Sequence, residues 1–464
     1  MNKKQIIGIL LGILVLVASV VLPPPQGLTE IGFRTIGLLL FFLVMLIFES
    51  LPVGIICFIS LALLPLLGVT KNLASGLVGF SNTMLFFVIA SFGLAEAVTS
   101  TPIVKRILYS IIKRFGKDVK TCILAIMISG TIVSSMVTDV PTVVVFMGIG
   151  AGFLKLFSNE SDRKQTARPL MIGIPIAIML GGIMTPAGSG INILTIGLLS
   201  EIAGIQITFI QWMVCAIPIV FVMVPFSWWI LIRIFPPAEI DPAQVQNYLD
   251  EIAITEGLQP VEKKVLVIGA GMLFFWIMSS FVKSIDVSVV ALLGCSLFFM
   301  PGINVLSWDQ YLKAVSWTSF ILIGSVLCIA NTLVTNGVSE WFVTHVLPAS
   351  MSLSIWQGVL FVAVIAFVIM LVVPVAPALI GVLSPVIVSI AYTTGINPAL
   401  LIITLGLCAG NCYLFPIDTI PLITYTAGYY KMMEMPRATI FMQVTFVVLC
   451  TLWLPLGGRL IGLV

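Results

Sequence analysis

Apolar residues run along this chain in blocks of about 20, the length that carries a helix across a bilayer, with short polar stretches between them. Blocks at 5–22, 33–50, 53–70, 77–100, 169–196, 207–235, 265–282, 287–304, 318–335, 398–424 and 437–458 predict about 11 transmembrane helices. Two further blocks, 119–157 and 352–396, are about twice that length, and prolines break them near the middle. Pro141 breaks the first; Pro374 and Pro377 break the second. The pattern predicts an all-α polytopic membrane protein.

Composition agrees. Of 464 residues, 60% are hydrophobic and 9% charged, with a mean hydropathy of +1.20. So few charges could not cover a soluble surface. The net charge of +3 comes with no basic tract long enough for nucleic acid. The first apolar run is too long for a signal peptide and lacks a small-residue cleavage site, so it reads as a retained span. The eight cysteines are scattered through apolar blocks and read as small buried hydrophobes. Cys408 and Cys412 are four apart, but the one histidine, His345, is remote, which argues against a metal site. HExxH and GxSxG patterns are absent, which argues against an embedded hydrolase.

Charge decides how 119–157 sits. Lys105, Arg106, Lys113, Arg114, Lys117 and Lys120 precede its core, and Arg163, Lys164 and Arg168 follow it. Basic flanks stay cytoplasmic, so this block enters and returns as a re-entrant hairpin with "TDVP" at its tip. The stretch 102–117 spaces bases between apolar residues and is expected along the cytoplasmic interface. With the N-terminus cytoplasmic, both long blocks as hairpins and the C-terminus extracytoplasmic, only Arg34, Lys71, Lys283 and Arg459 of the 22 Lys and Arg fall outside. The expected location is the cell (inner) membrane.

The polar stretch 236–264 divides the chain into comparable parts, expected as a cytoplasmic linker. Residues 1–30 form an extra N-terminal helix, 31–235 a first repeat and 265–464 a second, with hairpins at 119–157 and 352–396. "FSNTMLFFVIASFGLAEA" at 80–97 pairs with "SWTSFILIGSVLCIANT" at 316–332, matching Ala95-Glu96 to Ala330-Asn331. "MTPAGSGIN" at 184–192 pairs with "LFPIDTIPL" at 414–422, matching Pro186 to Pro416 and Ser189 to Thr419. An odd number of crossings per repeat inverts the two halves. Inverted repeats with paired interrupted helices are the pattern of secondary transporters.

Four breaks are expected to converge: 138–142, 185–192, 374–378 and 416–421. Freed backbone groups are tolerated at membrane depth only where protein or water receives them. Helix N-termini favour an anion, and freed carbonyls and carboxylates favour a cation. Gly188, Ser189, Gly190 and Asn192 offer close backbone approach and small polar heads. Asp139 and Asp418 are carboxylates at membrane depth, where a charge costs about 2.5–3.5 kcal/mol and marks function by default. The bland alternative is that each caps a helix beside its break. Glu49 and Glu96 lie near span ends and read as snorkelling or interhelical groups.

"LPVGIICFISLALLPLLGV", "GGIMTPAGSGINIL" and "YLFPIDTIPLITYTAGYYKMMEM" resemble the divalent-anion:sodium symporter family of the ion-transporter superfamily, over nearly the whole chain. The resemblance implies a dimeric elevator carrier coupled to Na⁺ that moves di- or tricarboxylates or sulfate. It also implies a Ser-Asn-Thr triplet at each hairpin tip, binding substrate carboxylate and Na⁺. This chain has Thr138-Asp139-Val140 at the first tip and Val375-Ala376-Pro377 near the second. Its Ser81-Asn82-Thr83 opens an ordinary span and reads as a helix cap. Candidate cation ligands are therefore Ser135, Thr138, Asp139, Gly188 and Asp418. Candidate substrate contacts are Thr138, Val140, Ser189, Asn192, Ala376, Pro377 and Thr419.

Two functions compete. One is cation-coupled symport of a small anion, with Na⁺ as the coupling ion and Asp139 as its ligand or held protonated. The other is Na⁺/H⁺ antiport or a proton-coupled carrier using Asp139 and Asp418. A scaffold or enzyme lacks supporting residues. Expected partners are the small anion, membrane lipid and a second copy of the chain.

Overall fold

The computed structural model describes residues 3–253, 257–346 and 353–463. Ser352, the first residue of the second long apolar block, and 254–256 of the polar connection lie outside them. The described residues form helices and no strands. The first half runs α1 (Lys3–Val21), α2 (Glu30–Ile47), α3 (Val53–Leu66), a single turn α4 (Leu73–Gly76), α5 (Thr83–Thr99), α6 (Ile103–Phe115), α7 (Val119–Ser134), α8 (Asp139–Leu154), α9 (Glu160–Gly182), α10 (Gly190–Ala203) and α11 (Phe209–Ile234). The second runs α12 (Pro242–Ile252), α13 (Pro260–Met278), α14 (Val287–Leu297), α15 (Trp308–Ala314), α16 (Trp317–Thr335), α17 (Val338–Val346), α18 (Ile355–Val372), α19 (Ala376–Thr394), α20 (Pro398–Ala409), α21 (Thr419–Thr426) and α22 (Glu434–Leu460).

Local chemistry sets the boundaries. Asp118 and Thr121 start α7 as a capping box, Thr208 and Gln211 start α11, and Ser354 and Gln357 start α18. Asn82 caps α5 by accepting the Met84 amide, as the cap reading of that triplet expects. Pro102 ends the run of α5, and α6 leaves at 61°. α6 turns Ile103, Val104, Leu108 and Ile112 inward and leaves Lys105, Lys113 and Arg114 exposed, the stripe of an interfacial helix.

From α2 to α11 and again from α13 to α22 the element order is the same. Two helices and a short turn lead to a long helix and a short one, then a helical pair, two half-helices and a closing helix. The packing repeats as well. α7 and α8 lie on α9 as α18 and α19 lie on α20. α8 meets α21 as α19 meets α10, α3 meets α16 as α14 meets α5, and the closing helices α11 and α22 pack on each other. Within each pair the two helices touch across a short turn, 135–138 or 373–375.

Polar contacts sort the helix ends into two groups. Lys4 pairs with Glu49 at 3.1 Å, Arg106 with Glu262 at 2.6 Å and Arg168 with Glu434 at 3.1 Å. Lys264 donates to the Gly302 and Ile303 carbonyls. At the opposite ends, Trp341 donates to the Gln26 carbonyl, Arg34 to Leu67 and Gln211 to Ile461. Each pair joins residues that the charge pattern assigns to one side.

The polar connection is more than a tether. Asp241 caps α12, Pro242 occupies its first turn, and Val245, Tyr248 and Leu249 are buried, with Tyr248 edge-on to Phe153. The i, i+3, i+4 spacing of those three residues is the signal for this amphipathic helix.

Candidate functional site

α7 ends at Ser134, the chain turns, and α8 begins Asp139-Val140-Pro141. Proline fits a helix's first turn because the amide there has no intrahelical acceptor. Thr138 occupies the cap position of α8 but makes no side-chain cap; its Oγ1 is buried without a hydrogen-bond partner. The carboxylate beside it is held from the end of α7. Ser134 Oγ donates to Asp139 Oδ1 at 2.8 Å, and the Ser189 hydroxyl, which accepts the Ile191 amide at 3.4 Å, lies near the same carboxylate at the α9–α10 break. The carboxylate lies directly on the Cα of Gly182, where any Cβ would overlap Oδ1.

The α9–α10 break is shaped to receive this tip. A Cβ at Gly181 would overlap the Thr131 carbonyl, and one at Gly188 would stand 2.5 Å from the Gly182 oxygen and 3.0 Å from the Ser134 oxygen. Thr185 Oγ1 donates to the Ser135 carbonyl. Asn192, wholly buried, donates through Nδ2 to the Gly182 carbonyl at 2.7 Å and the Thr185 carbonyl at 2.8 Å. Its Oδ1 is left buried and unpartnered. From outside, Trp212 Nε1 donates to the Ile183 carbonyl at 2.8 Å. Freed carbonyls thus find donors, while Thr138 Oγ1 and Asn192 Oδ1 remain open acceptors near a carboxylate. An all-oxygen donor set of this kind suits a hard cation such as Na⁺.

The second half supplies the same frame with different side chains. Asp418 caps α21, accepting the Ile420 amide at 3.2 Å, so capping describes Asp418 but not Asp139. α21, which Asp418 caps, packs on α8, which Asp139 opens. The α20–α21 break is braced from α22: Gln443 Oε1 accepts the Tyr413 amide at 3.3 Å, and Thr439 donates to the Leu414 carbonyl at 3.0 Å. Asn411 Oδ1 is another buried, unpartnered acceptor. The second tip, Val373-Pro374-Val375, offers no polar side chain.

The structure gathers Ser135, Thr138, Asp139, Gly188, Ser189 and Asn192 at the meeting of hairpin and break, and places Asp418 at the start of α21, which packs on α8. Val140 is 46% exposed and Thr419 opens α21 on the surface. Ala376 and Pro377 begin α19, which packs on α10, and their hydrocarbon side chains can offer a ligand shape but no polar contact. Sequence reasoning passed over Ser134, Thr185 and Gly182. The Gly181-Gly182 pair carried the signal for the last, since adjacent glycines in an apolar helix mark close approach. All eight cysteines are buried and unpaired.

Known proteins share this architecture. A membrane protein of Cupriavidus necator is 24% identical over 89% of this chain and 84% of its own length. The sodium-dependent dicarboxylate transporter SdcS of Staphylococcus saprophyticus is 23% identical over 97% of this chain and 91% of its own. Among solved structures, Neisseria gonorrhoeae MtrF, described as illuminating a class of antimetabolite efflux pumps, superposes with a TM-score of 0.61 at 12% identity, covering 98% of this chain and 94% of that one. The Alcanivorax borkumensis YdaH transporter gives 0.56 at 14% identity over 99% and 98%. At such identities these two speak for the fold alone. The family described as the sodium:sulfate symporter transmembrane region matches residues 3–463, and the chain belongs to that family of multi-pass membrane transporters.

Proposed function

We propose that this protein is a Na⁺-coupled symporter of a small organic or inorganic anion, of the di- or tricarboxylate class. The dicarboxylate transporters among its relatives support that class. The observation that carries the reading is the Asp139 carboxylate, fixed by Ser134 and seated against Gly182, beside unpartnered Thr138 and Asn192 oxygens. A bare carboxylate here repels an anion. A cation bound to it removes that repulsion and adds attraction, so Na⁺ binds first and makes the anion's entry favourable. Ser135, Thr138, Asp139, Gly188 and Asp418 are the proposed cation ligands. Thr138, Val140, Ser189, Asn192, Ala376, Pro377 and Thr419 are the proposed anion contacts.

In this reading 31–235 and 265–464 are inverted repeats, 1–30 an added helix and 236–264 a cytoplasmic linker. Hairpins and interrupted helices travel as one body past the other helices, an elevator movement within a homodimer. The N-terminus is cytoplasmic and the C-terminus extracytoplasmic. The test is uptake of labelled succinate and citrate, and of ²²Na⁺, into proteoliposomes under imposed Na⁺ and pH gradients. Uptake that follows the Na⁺ gradient is expected. Na⁺ movement driven by pH with no anion uptake would replace symport by antiport.

A further inference from the structure

The two halves share a fold but not a packing state. In the first, α10 packs against α5 and α16, and Asn192 to Leu199 are all buried. Its counterpart α21 packs mainly on α8 and α9 and leaves Thr419, Leu422 and Thr426 exposed. Likewise α19 packs on α16 and α17. The molecule is closed around α10 and α19 and open around α21. Alternating access in inverted repeats exchanges such packings between the halves.

The closed side carries a polar tie. Asn331 Nδ2 on α16 donates a short hydrogen bond to Glu201 Oε1 near the end of α10. The repeats assign each partner a counterpart. Asn331 matches Glu96, which is one turn from the end of α5 as Asn331 is from the end of α16. Glu201 lies as far beyond Ser189 as Lys431 lies beyond Thr419, the residue matched to Ser189. α21 is shorter than α10, so Lys431 stands on the loop after it and reaches out on a flexible stem. Glu96 is half-buried and Lys431 exposed, and neither forms an ion pair here among the described residues. Both belong to the same group of helix ends. α5 leads into α6, whose Arg106 binds Glu262, and Lys431 precedes Glu434, which binds Arg168.

We propose that Lys431 and Glu96 pair in the opposite transport state, replacing the Asn331–Glu201 tie. Each state then has one polar latch, on opposite sides of the membrane, made from matched positions of the two repeats. The latch closing α21 is an ion pair, and the one closing α10 is an amide–carboxylate bond. The proposal rests on the alternating-access reading above.

The test joins a cross-link to a charge swap. In full-length protein in proteoliposomes, Glu96→Cys with Lys431→Cys is treated with a reducible bis-methanethiosulfonate about as long as the two side chains it replaces, with and without Na⁺ and succinate. Cross-linking that arrests uptake, with release by reductant, is expected. The native cysteines are buried and stay out of the reaction. Glu96→Lys and Lys431→Glu should each slow uptake about fivefold, the upper range for such a pair, and the double swap should restore it. Absence of a cross-link in every condition, from a double-cysteine protein that still transports, would overturn the latch. So would a swap whose losses merely multiply. If a charge reversal fails to reach the membrane, the cross-link alone decides. A cross-link in protein that moves no anion would retain the latch and discard symport.

Discussion

Asp139→Asn isolates charge from shape. The amide matches the carboxylate in size, and its oxygen can still accept from Ser134 Oγ, now 2.8 Å from Oδ1. It also fits over the bare Cα of Gly182 as the carboxylate does. What disappears is one negative charge. Two unit charges about 4 Å apart at an effective dielectric near 20 interact by about 4 kcal/mol, which caps the loss of cation affinity near a thousandfold. Asp139 is half-buried and the amide keeps one oxygen ligand, so the half-saturating Na⁺ concentration should rise about 10- to 100-fold. Ser134→Ala is the companion measurement. It keeps the charge, and the freed carboxylate oxygen can still bind the cation, so it should weaken Na⁺ less than Asp139→Asn, by under about tenfold for a net hydrogen bond of about 1 kcal/mol. The assay is Na⁺-dependent uptake of labelled succinate at saturating anion. An unchanged Na⁺ half-saturation in Asp139→Asn would refute the assignment and leave Asp139 as a polar residue of the turn.

Gly182→Ala should reproduce much of the Asp139 defect with the carboxylate intact, because the new Cβ displaces Oδ1; normal Na⁺ dependence would mean the carboxylate position is unimportant. Gly188→Val puts a branched side chain against the Gly182 and Ser134 carbonyls and should abolish uptake, with folded protein still present by size-exclusion chromatography. Cysteines replacing Lys117 and Arg163 should both react with an impermeant maleimide from the cytoplasmic side only; labelling from opposite sides would remove the re-entrant hairpin. Arg106→Ala strands the buried Glu262 carboxylate and should lower the detergent melting midpoint more than Lys164→Ala, whose pair with Glu160 is exposed.

The fold was legible because two independent codes agree. Block length predicts about 11 spans, of which seven helices among the described residues, or eight counting the bent α5–α6 pair, are long and apolar enough to cross a membrane. The bases around 119–157 predict a returning hairpin, seen here as the helical pair α7–α8. Proline position then locates the turn: α8 begins two residues before Pro141, and α19 one before Pro377. The site was legible only in part. Asp139 announces itself because a carboxylate in an apolar block has few reasons to exist. Ser134 and Thr185 do not, since Ser and Thr in membrane helices usually bond their own preceding turn, as Ser129 and Thr195 do here. Only the packing of two distant segments tells these hydroxyls apart. α12 escaped because a single amphipathic face of three residues is weak beside so polar a background.

Symmetry of packing does not carry symmetry of chemistry, and this divergence gives the protein its particular character. The closing helix of each half braces its interrupted helix: Trp212 on α11 donates to the Ile183 carbonyl, and Gln443 on α22 accepts the Tyr413 amide. The tips then part company. The first presents Thr138 and Asp139 to the break beside it; the second presents Val373, Pro374 and Val375. A scaffold that must support two breaks constrains glycines, prolines and bracing groups in both halves. Within that shared frame the side chains at the two tips differ. In the proposed symport, charge gathered at one tip would give the cation a preferred side, and the apolar tip would not compete for it. Under the proposed symport the order of binding would follow from that asymmetry: the cation would meet a carboxylate already held in place, and the anion a site whose charge the cation has changed.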